Sequence, residues 1–189
     1  FLQAAGVAVP PEMTGRSFLS LLLGEGRDEP ARDRVFLERE RHAWCRADGL
    51  GYPCRAIRTQ EFLYVRNLAP DRWPAGDPPA YGDVDGGPSK SLLLDGRNDA
   101  THAPFFEGAF AKRPSQELFD LRTDPATVRN VAAQPEYAAT VRRLAAEVDA
   151  WMAATGDPRS RGGGEEFDRY PYVGRGSSPA AKGSKAGRK

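Results

Sequence analysis

Glu117-Leu118-Phe119-Asp120-Leu121-Arg122-Thr123-Asp124-Pro125-Ala126-Thr127-Val128-Arg129-Asn130-Val131-Ala132 is the stretch whose reading decides the fold. Leu118, Phe119 and Leu121 make a short, mainly apolar strand-like run, and Asp124-Pro125 stops it. The missing N–H of proline costs nothing in the first turn of a helix, so the sequence predicts a helical turn from Pro125 with Asp124 as its N-cap. Beyond it, from Pro135 to Thr155, the apolar residues Tyr137, Val141, Leu144, Val148 and Trp151 recur at alternating steps of four and three, with Met152 beside the last. That spacing traces one stripe of a long α-helix. Gly156 ends the helix and Asp157-Pro158 prevents its continuation.

A strand followed by a long amphipathic helix needs partner strands to pack on. Cys54-Arg55-Ala56-Ile57-Arg58-Thr59 and Phe62-Leu63-Tyr64-Val65-Arg66-Asn67 are strand-like runs separated only by Gln60-Glu61, the spacing of a tight hairpin. In the second run Phe62, Tyr64 and Arg66 share one face and Leu63, Val65 and Asn67 the other. Val35 to Glu40 reads as a further strand entering a polar turn, and Arg41 to Gly51 as a loop. The fold class predicted is α+β, a small antiparallel sheet packed against one long C-terminal helix, with long loops and a disordered tail.

Upstream, Phe1 to Gly6 reads as the last turns of a helix stopped by glycine, which leads us to expect a piece of a longer protein. Ser17 to Leu23 reads as a short buried helix ending at Gly24. Leu68 to Phe106 is a long stretch rich in Pro, Gly and Asp, and loops of that length are uncommon unless functional or disordered. Gly174 to Lys189 is Gly, Ser, Ala and basic residues, and is expected to be disordered. The expected divisions are 1–24, the end of a helix with a linker; 25–173, the α+β body; and 174–189, a basic tail.

The chain has 189 residues, 40% hydrophobic and 28% charged, with a formal net charge of +1. That balance gives no whole-chain field to attract nucleic acid or an acidic membrane, and no apolar run reaches the length that spans a bilayer. We expect neither partner, the tail acting as a solubilising segment. Cys45 and Cys54 could close a small loop in an oxidising compartment or remain two free thiols; their spacing matches no metal motif.

No complete catalytic constellation is present. The chain has no Gly-x-Ser-x-Gly elbow, phosphate-binding glycine loop, His-Glu-x-x-His or double Cys-x-x-Cys, and only two histidines, His42 and His102. Asp83 and Asp85 near Gly86 lack the further ligands of a calcium loop and read as a solvated turn. Glu38-Arg39-Glu40-Arg41-His42 places guanidinium groups and an imidazole at a strand end. Such groups match sulfate, phosphate or carboxylate geometry, or they form a solvated strand end with compensating charges. Arg55 and Arg58, three apart, point to opposite faces of their strand. Trp44, Tyr64, Trp73 and Tyr81 offer flat faces for sugar rings, or anchors for core and loops.

Several stretches, in order, resemble type I sulfatases of the alkaline phosphatase superfamily. Phe1-Leu2 with Ala5-Gly6 and Met13 to Leu22 look like the segment joining the catalytic domain to the C-terminal subdomain. Tyr52-Pro53 with the hairpin from Arg55 to Asn67 is similar to that subdomain's hairpin, and Glu117 to Ala132 to its closing signature. The Tyr-Pro-x-Arg hairpin and Trp151-Met152 to Asp157-Pro158 look most like heparan N-sulfatase (sulfamidase) and its bacterial relatives.

The resemblance implies a sulfatase hydrolysing sulfate esters or N-sulfates of a sulfated carbohydrate, secreted or periplasmic. It implies a formylglycine nucleophile and a calcium ion, both supplied by an N-terminal catalytic domain that would be this chain's partner. Neither Cys45 nor Cys54 has proline two residues on, so no catalytic residue and no metal ligand is assigned here, and no cofactor is expected to bind this part alone. Arg41 and His42 are the expected substrate-binding residues, at the rim of the pocket. The alternative is a binding module for sulfated carbohydrate or another polyanion, using Arg39, Arg41, Arg55 and the aromatic loop.

Overall fold

Four strands run antiparallel in chain order, β1 (Arg34–Arg39), β2 (Cys54–Thr59), β3 (Phe62–Asn67) and β4 (Gln116–Asp120). The computed structural model describes residues 1–25 and 32–171; the tail from Gly174 to Lys189 lies outside the described residues. Register places Phe36 opposite Ile57, Ile57 opposite Tyr64, and Tyr64 opposite Leu118. This row crosses the whole sheet on one face, as alternation of side chains requires.

The helix predicted from the apolar stripe lies against that face. A short 3-10 turn, Pro135–Tyr137, leads into it, and it spans Ala138–Thr155. Ile57, Phe62, Tyr64, Leu118, Val131, Leu144, Val148 and Met152 form the main core, with Phe36, Tyr137, Val141 and Trp151 packed around it. Phe36 and Trp151 stack with ring centroids 5.1 Å apart. Each fully buried aliphatic side chain here contributes about 1.5–3 kcal/mol relative to exposure. Tyr64 keeps its hydroxyl satisfied by donating to Gln116 Oε1 at 2.9 Å.

The Glu117 to Ala132 stretch forms β4 and then departs from expectation. No helical turn forms at Pro125; Thr127 takes φ 55°, and the Asp124 carboxylate accepts from the Arg129 amide at 2.8 Å. A positive φ breaks helical geometry, so the aspartate spans a tight turn rather than capping a helix. Beyond the turn, Asn130 Oδ1 accepts from the Leu118 amide at 2.9 Å and Val131 donates to the Leu118 carbonyl at 2.8 Å. The chain thereby covers the open edge of β4, one of the ways proteins protect an edge strand.

The stretch between β3 and β4, read as a loop, carries two helices, Pro88–Asp95 and Ala103–Phe110. Each has proline in its first turn, and Gly96 follows the first. Ala75, Tyr81 and Phe110 are buried between Trp73, Leu93, Leu94 and Phe106, giving this segment its own small aromatic core.

Numbering the helices in chain order, α1 is Leu19–Leu22, α2 Pro88–Asp95, α3 Ala103–Phe110, α4 Ala138–Thr155 and α5 Glu166–Arg169. Residues Phe1–Asp33 make a compact unit separate from Arg34–Lys189. Gly6 and Gly24 take positive φ, as their helix-stopping role requires. The expected burial of Ser17 to Leu23 is not found: Phe18, Leu21, Leu22 and Leu23 are exposed, Leu22 at 71%. A four-residue helix presents too little surface to cover its own apolar side chains.

Candidate functional site

Three segments are knitted together at the β1–β2 connection by arginines, each satisfied in a different way. The first hub is Arg55 of β2, only 1% exposed. It grips Asp157 by Nε at 2.5 Å and Nη2 at 3.1 Å, and Glu40 by Nη2 at 2.8 Å. Arg159 closes on the same Glu40 at 2.7 and 3.2 Å. Burial pushes the Asp157 carboxyl up, but the hydrogen bond and charge of Arg55 outweigh it and hold it below the usual carboxylate range. Arg55 therefore pins the C-terminal end of α4 to the sheet. It does not belong to an open polyanion-binding surface, which corrects that part of the sequence expectation.

The second hub is Arg41. It donates to the carbonyls of Gly49 at 3.0 Å, Asp168 at 3.2 Å and Tyr170, and lies over the Trp44 ring at 4.9 Å. Asp168, in α5, accepts from the Gly51 amide at 2.7 Å and from Arg72 at 3.2 Å. The guanidinium fork of Arg41 suits carbonyl oxygens as well as oxyanions, and here carbonyls engage it.

The third hub is Asp83, with a side chain only 2% exposed. Arg46, itself buried, donates to Asp83 Oδ2 and to the carbonyls of Trp73 and Pro74, both at 2.7 Å. Arg39 reaches the same Oδ2 at 2.9 Å, and His42 Nδ1 lies 3.2 Å from Oδ1. Burial pushes the carboxyl up, yet Arg46 and then Arg39 keep it below its ordinary range, so it stays ionised. Beside it, burial and the Asp83 charge push the Cys45 thiol up to about 11. Cys45 and Cys54 are free, and a raised pKa leaves Cys45 a poor nucleophile.

Arg41 and His42, named together from sequence, diverge: Arg41 turns toward the C-terminal segment and His42 toward Asp83. His42 is the open member, its side chain 67% exposed. Asp83, read as part of a solvated turn, is instead the buried centre of a cationic cluster. Sequence offered little sign of it, since its partners lie 37 to 44 positions away. Of the four aromatic residues singled out, Tyr64 and Tyr81 are buried, and Trp73 packs edge-on against Tyr81. Among the described residues no group of three or more His, Cys, Asp or Glu could hold a metal ion.

No family model matches the chain. Two curated relatives do, both ulvan-active sulfatases of Formosa agariphila. One is 27% identical over 157 residues, covering 83% of this chain and 28% of the relative; the other is 31% identical over 110 residues, covering 54% and 17%. The chain is similar to sulfatases. It spans less than a third of the length of either of these sulfatase relatives. A putative sulfatase from Bacteroides thetaiotaomicron superposes with a TM-score of 0.52 at 20% identity, covering 84% of this chain and 24% of that structure. A 2-O GAG sulfatase gives the same TM-score at 19% identity, covering 90% and 27%. These likenesses show the fold, the α+β arrangement of sulfatase C-terminal regions.

Proposed function

We propose that this chain is the C-terminal part of a sulfatase acting on a sulfated polysaccharide, completing the fold and lining the substrate entrance. The observation that carries the reading is sequence similarity to ulvan-active sulfatases over 83% of this chain but only 28% of the relative. The nucleophile and calcium ligands belong to the rest of the enzyme: neither cysteine has proline two residues on, and the buried Asp157 and Asp83 carboxylates are paired with Arg55 and Arg46. Sulfate esters of an acidic polysaccharide are the substrate class nearest to these relatives, ahead of the N-sulfates suggested by the hairpin and the Trp151 to Pro158 region. In this reading His42 and Arg41 stand at the rim, His42 facing the substrate and Arg41 fixing the loop that carries it. Export to the periplasm or medium follows from a polymeric substrate; among the described residues no helix is long and apolar enough to cross a membrane.

The test is release of inorganic sulfate from ulvan, with calcium supplied. The isolated 189-residue chain is expected to release none, and the product of the reading frame extended upstream of Phe1 is expected to turn over. That upstream sequence should contain Cys-x-Pro-x-Arg or Ser-x-Pro-x-Arg. Turnover by the isolated chain, or an extended protein without that motif and without activity, would sink the proposal.

A further inference from the structure

Asp83 serves more cations than one carboxylate can neutralise. Arg46 and Arg39 both bond Oδ2 and His42 sits on Oδ1, so two guanidiniums face a single negative charge even before the imidazole is protonated. Arg46 is sealed inside, but Arg39 is 40% exposed and His42 67%. Arg39 gives Asp83 one of its five N–H donors. The surplus positive charge is therefore presented at the surface by two side chains held from behind by one buried anchor.

The anchor also decides how the imidazole behaves. An ionised carboxylate can only accept, so Asp83 requires the proton of a neutral His42 to sit on Nδ1. Nε2 then carries a lone pair and repels an anion. Protonation places an N–H there while Asp83 continues to bond Nδ1, turning the same ring into a donor. Besides His42, the charged groups that bond Asp83 are Arg46 of the connecting loop and Arg39 of β1; on the flanking segments the Lys90 ammonium is held by the Tyr81 and Val84 carbonyls at 2.8 and 2.7 Å, and the Asp77 carboxylate accepts from the Ala47 amide at 2.7 Å. The Cys45 thiol adjoins the Asp83 carboxylate and stays neutral. Asp83 is the carboxylate that meets the imidazole.

We infer that Arg39 and His42, braced by Asp83, form an oxyanion seat for a sulfate or carboxylate group of an acidic sugar, opened by protonation of His42. Arg39 supplies the permanent charge and His42 the pH-dependent one. Under the sulfatase reading, on which the sugar identity rests, the seat holds a charged group of the polysaccharide away from the reacting sulfate. The geometry itself does not depend on that reading.

The experiment follows the His42 imidazole by NMR in the 189-residue chain while inorganic sulfate, glucuronate, or sodium chloride of matched ionic strength is added across the pH range where the ring titrates. Chloride controls for screening, which any exposed charge shows. Sulfate or glucuronate is expected to bind on the order of tenfold more tightly to the protonated ring, and by linkage to displace its titration upward by the same factor. Which probe is stronger tells whether the seat takes a sulfate or a uronate. Arg39→Gln should weaken binding at every pH, whereas His42→Gln, which has no imidazole to observe and is followed by titration calorimetry with the same probes, should leave weaker binding that no longer depends on pH.

Equal responses to chloride and to both oxyanions would overturn the proposal, as would variants that bind like the parent chain. His42 is largely exposed, so His42→Gln keeps the test open even if Arg39→Gln fails to fold. An oxyanion seat in a protein whose extended form releases no sulfate would sink the sulfatase reading and leave the seat standing. Sulfate release with no binding at His42 would do the reverse.

Discussion

At the scale of single residues, the molecule spends its arginines on joining segments far apart in sequence. Arg55 and Asp157 are 102 positions apart, and both are buried. Removing one partner of a buried ion pair leaves the other charge desolvated and unpaired, which typically costs about 3–5 kcal/mol. Asp157→Asn should therefore lower the unfolding free energy from urea titration by that order, and a change below about 1 kcal/mol would show that Glu40 alone satisfies Arg55. The same pair predicts a pH dependence. The Asp157 and Asp83 carboxyls both sit below their ordinary range when folded, so their contribution is present above the unfolded value of about 3.9 and is lost as pH falls through the lower folded values. Urea midpoints should decline on acidification below about pH 4, more shallowly in Asp157→Asn; a steeper decline in the variant would contradict this assignment. Sequence shows that Arg55 and Arg58 oppose each other, because alternation is local. It does not show that Asp83 is buried, because a Gly/Pro/Asp-rich stretch looks solvated until partners from β1 and its loop close on it.

At the scale of elements, legibility follows periodicity. The β2–β3 hairpin and the helix ending at Gly156 lie where their patterns put them, because each carries its own repeat and its own stop. Helices α2 and α3 were hidden inside an apparent loop: eight residues give barely two turns, too few to establish a stripe, although Pro88 and Gly96 mark the ends of α2. The closing turn was misread for a related reason, since Asp-Pro opens a helix or a tight turn with the same local chemistry. What the signature stretch contributes is edge protection, and Asn130 is its working residue. Its Oδ1 accepts from both the Leu118 and Ala132 amides. Asn130→Ala should cost about 1–3 kcal/mol, from two hydrogen bonds worth roughly 0.5–1.5 kcal/mol each. Amide exchange should accelerate at Leu118 more than at Tyr64 in the middle of the sheet. Unchanged exchange at Leu118 would mean that the Val131 backbone contact protects the edge alone.

At the scale of the whole molecule, two units differ in kind. The unit from Arg34 onward owns both hydrophobic clusters, whereas no described residue between Phe1 and Glu25 is buried. Phe1, Val7, Val9, Met13, Phe18, Leu21, Leu22 and Leu23 all stand open to solvent. Apolar surface collected in this way marks an interaction site or an aggregation liability more often than chance. Its sequence was readable as helix ends and glycine stops, although a run of leucines by itself looks the same whether or not something covers it. The stability consequence can be measured. Substitutions away from a core usually stay within about ±0.5 kcal/mol, so a chain beginning at Asp33 should keep its unfolding free energy within that margin. The m-value should change little, since m scales with the surface exposed on unfolding and the first unit buries almost none. Binding of a hydrophobic dye by the native state should fall in the shortened chain. An unfolding free energy lowered by several kcal/mol would place part of the stabilising core in the first unit, and dye binding unchanged by the truncation would move the exposed apolar surface to the sheet face that carries Val35 and Leu37.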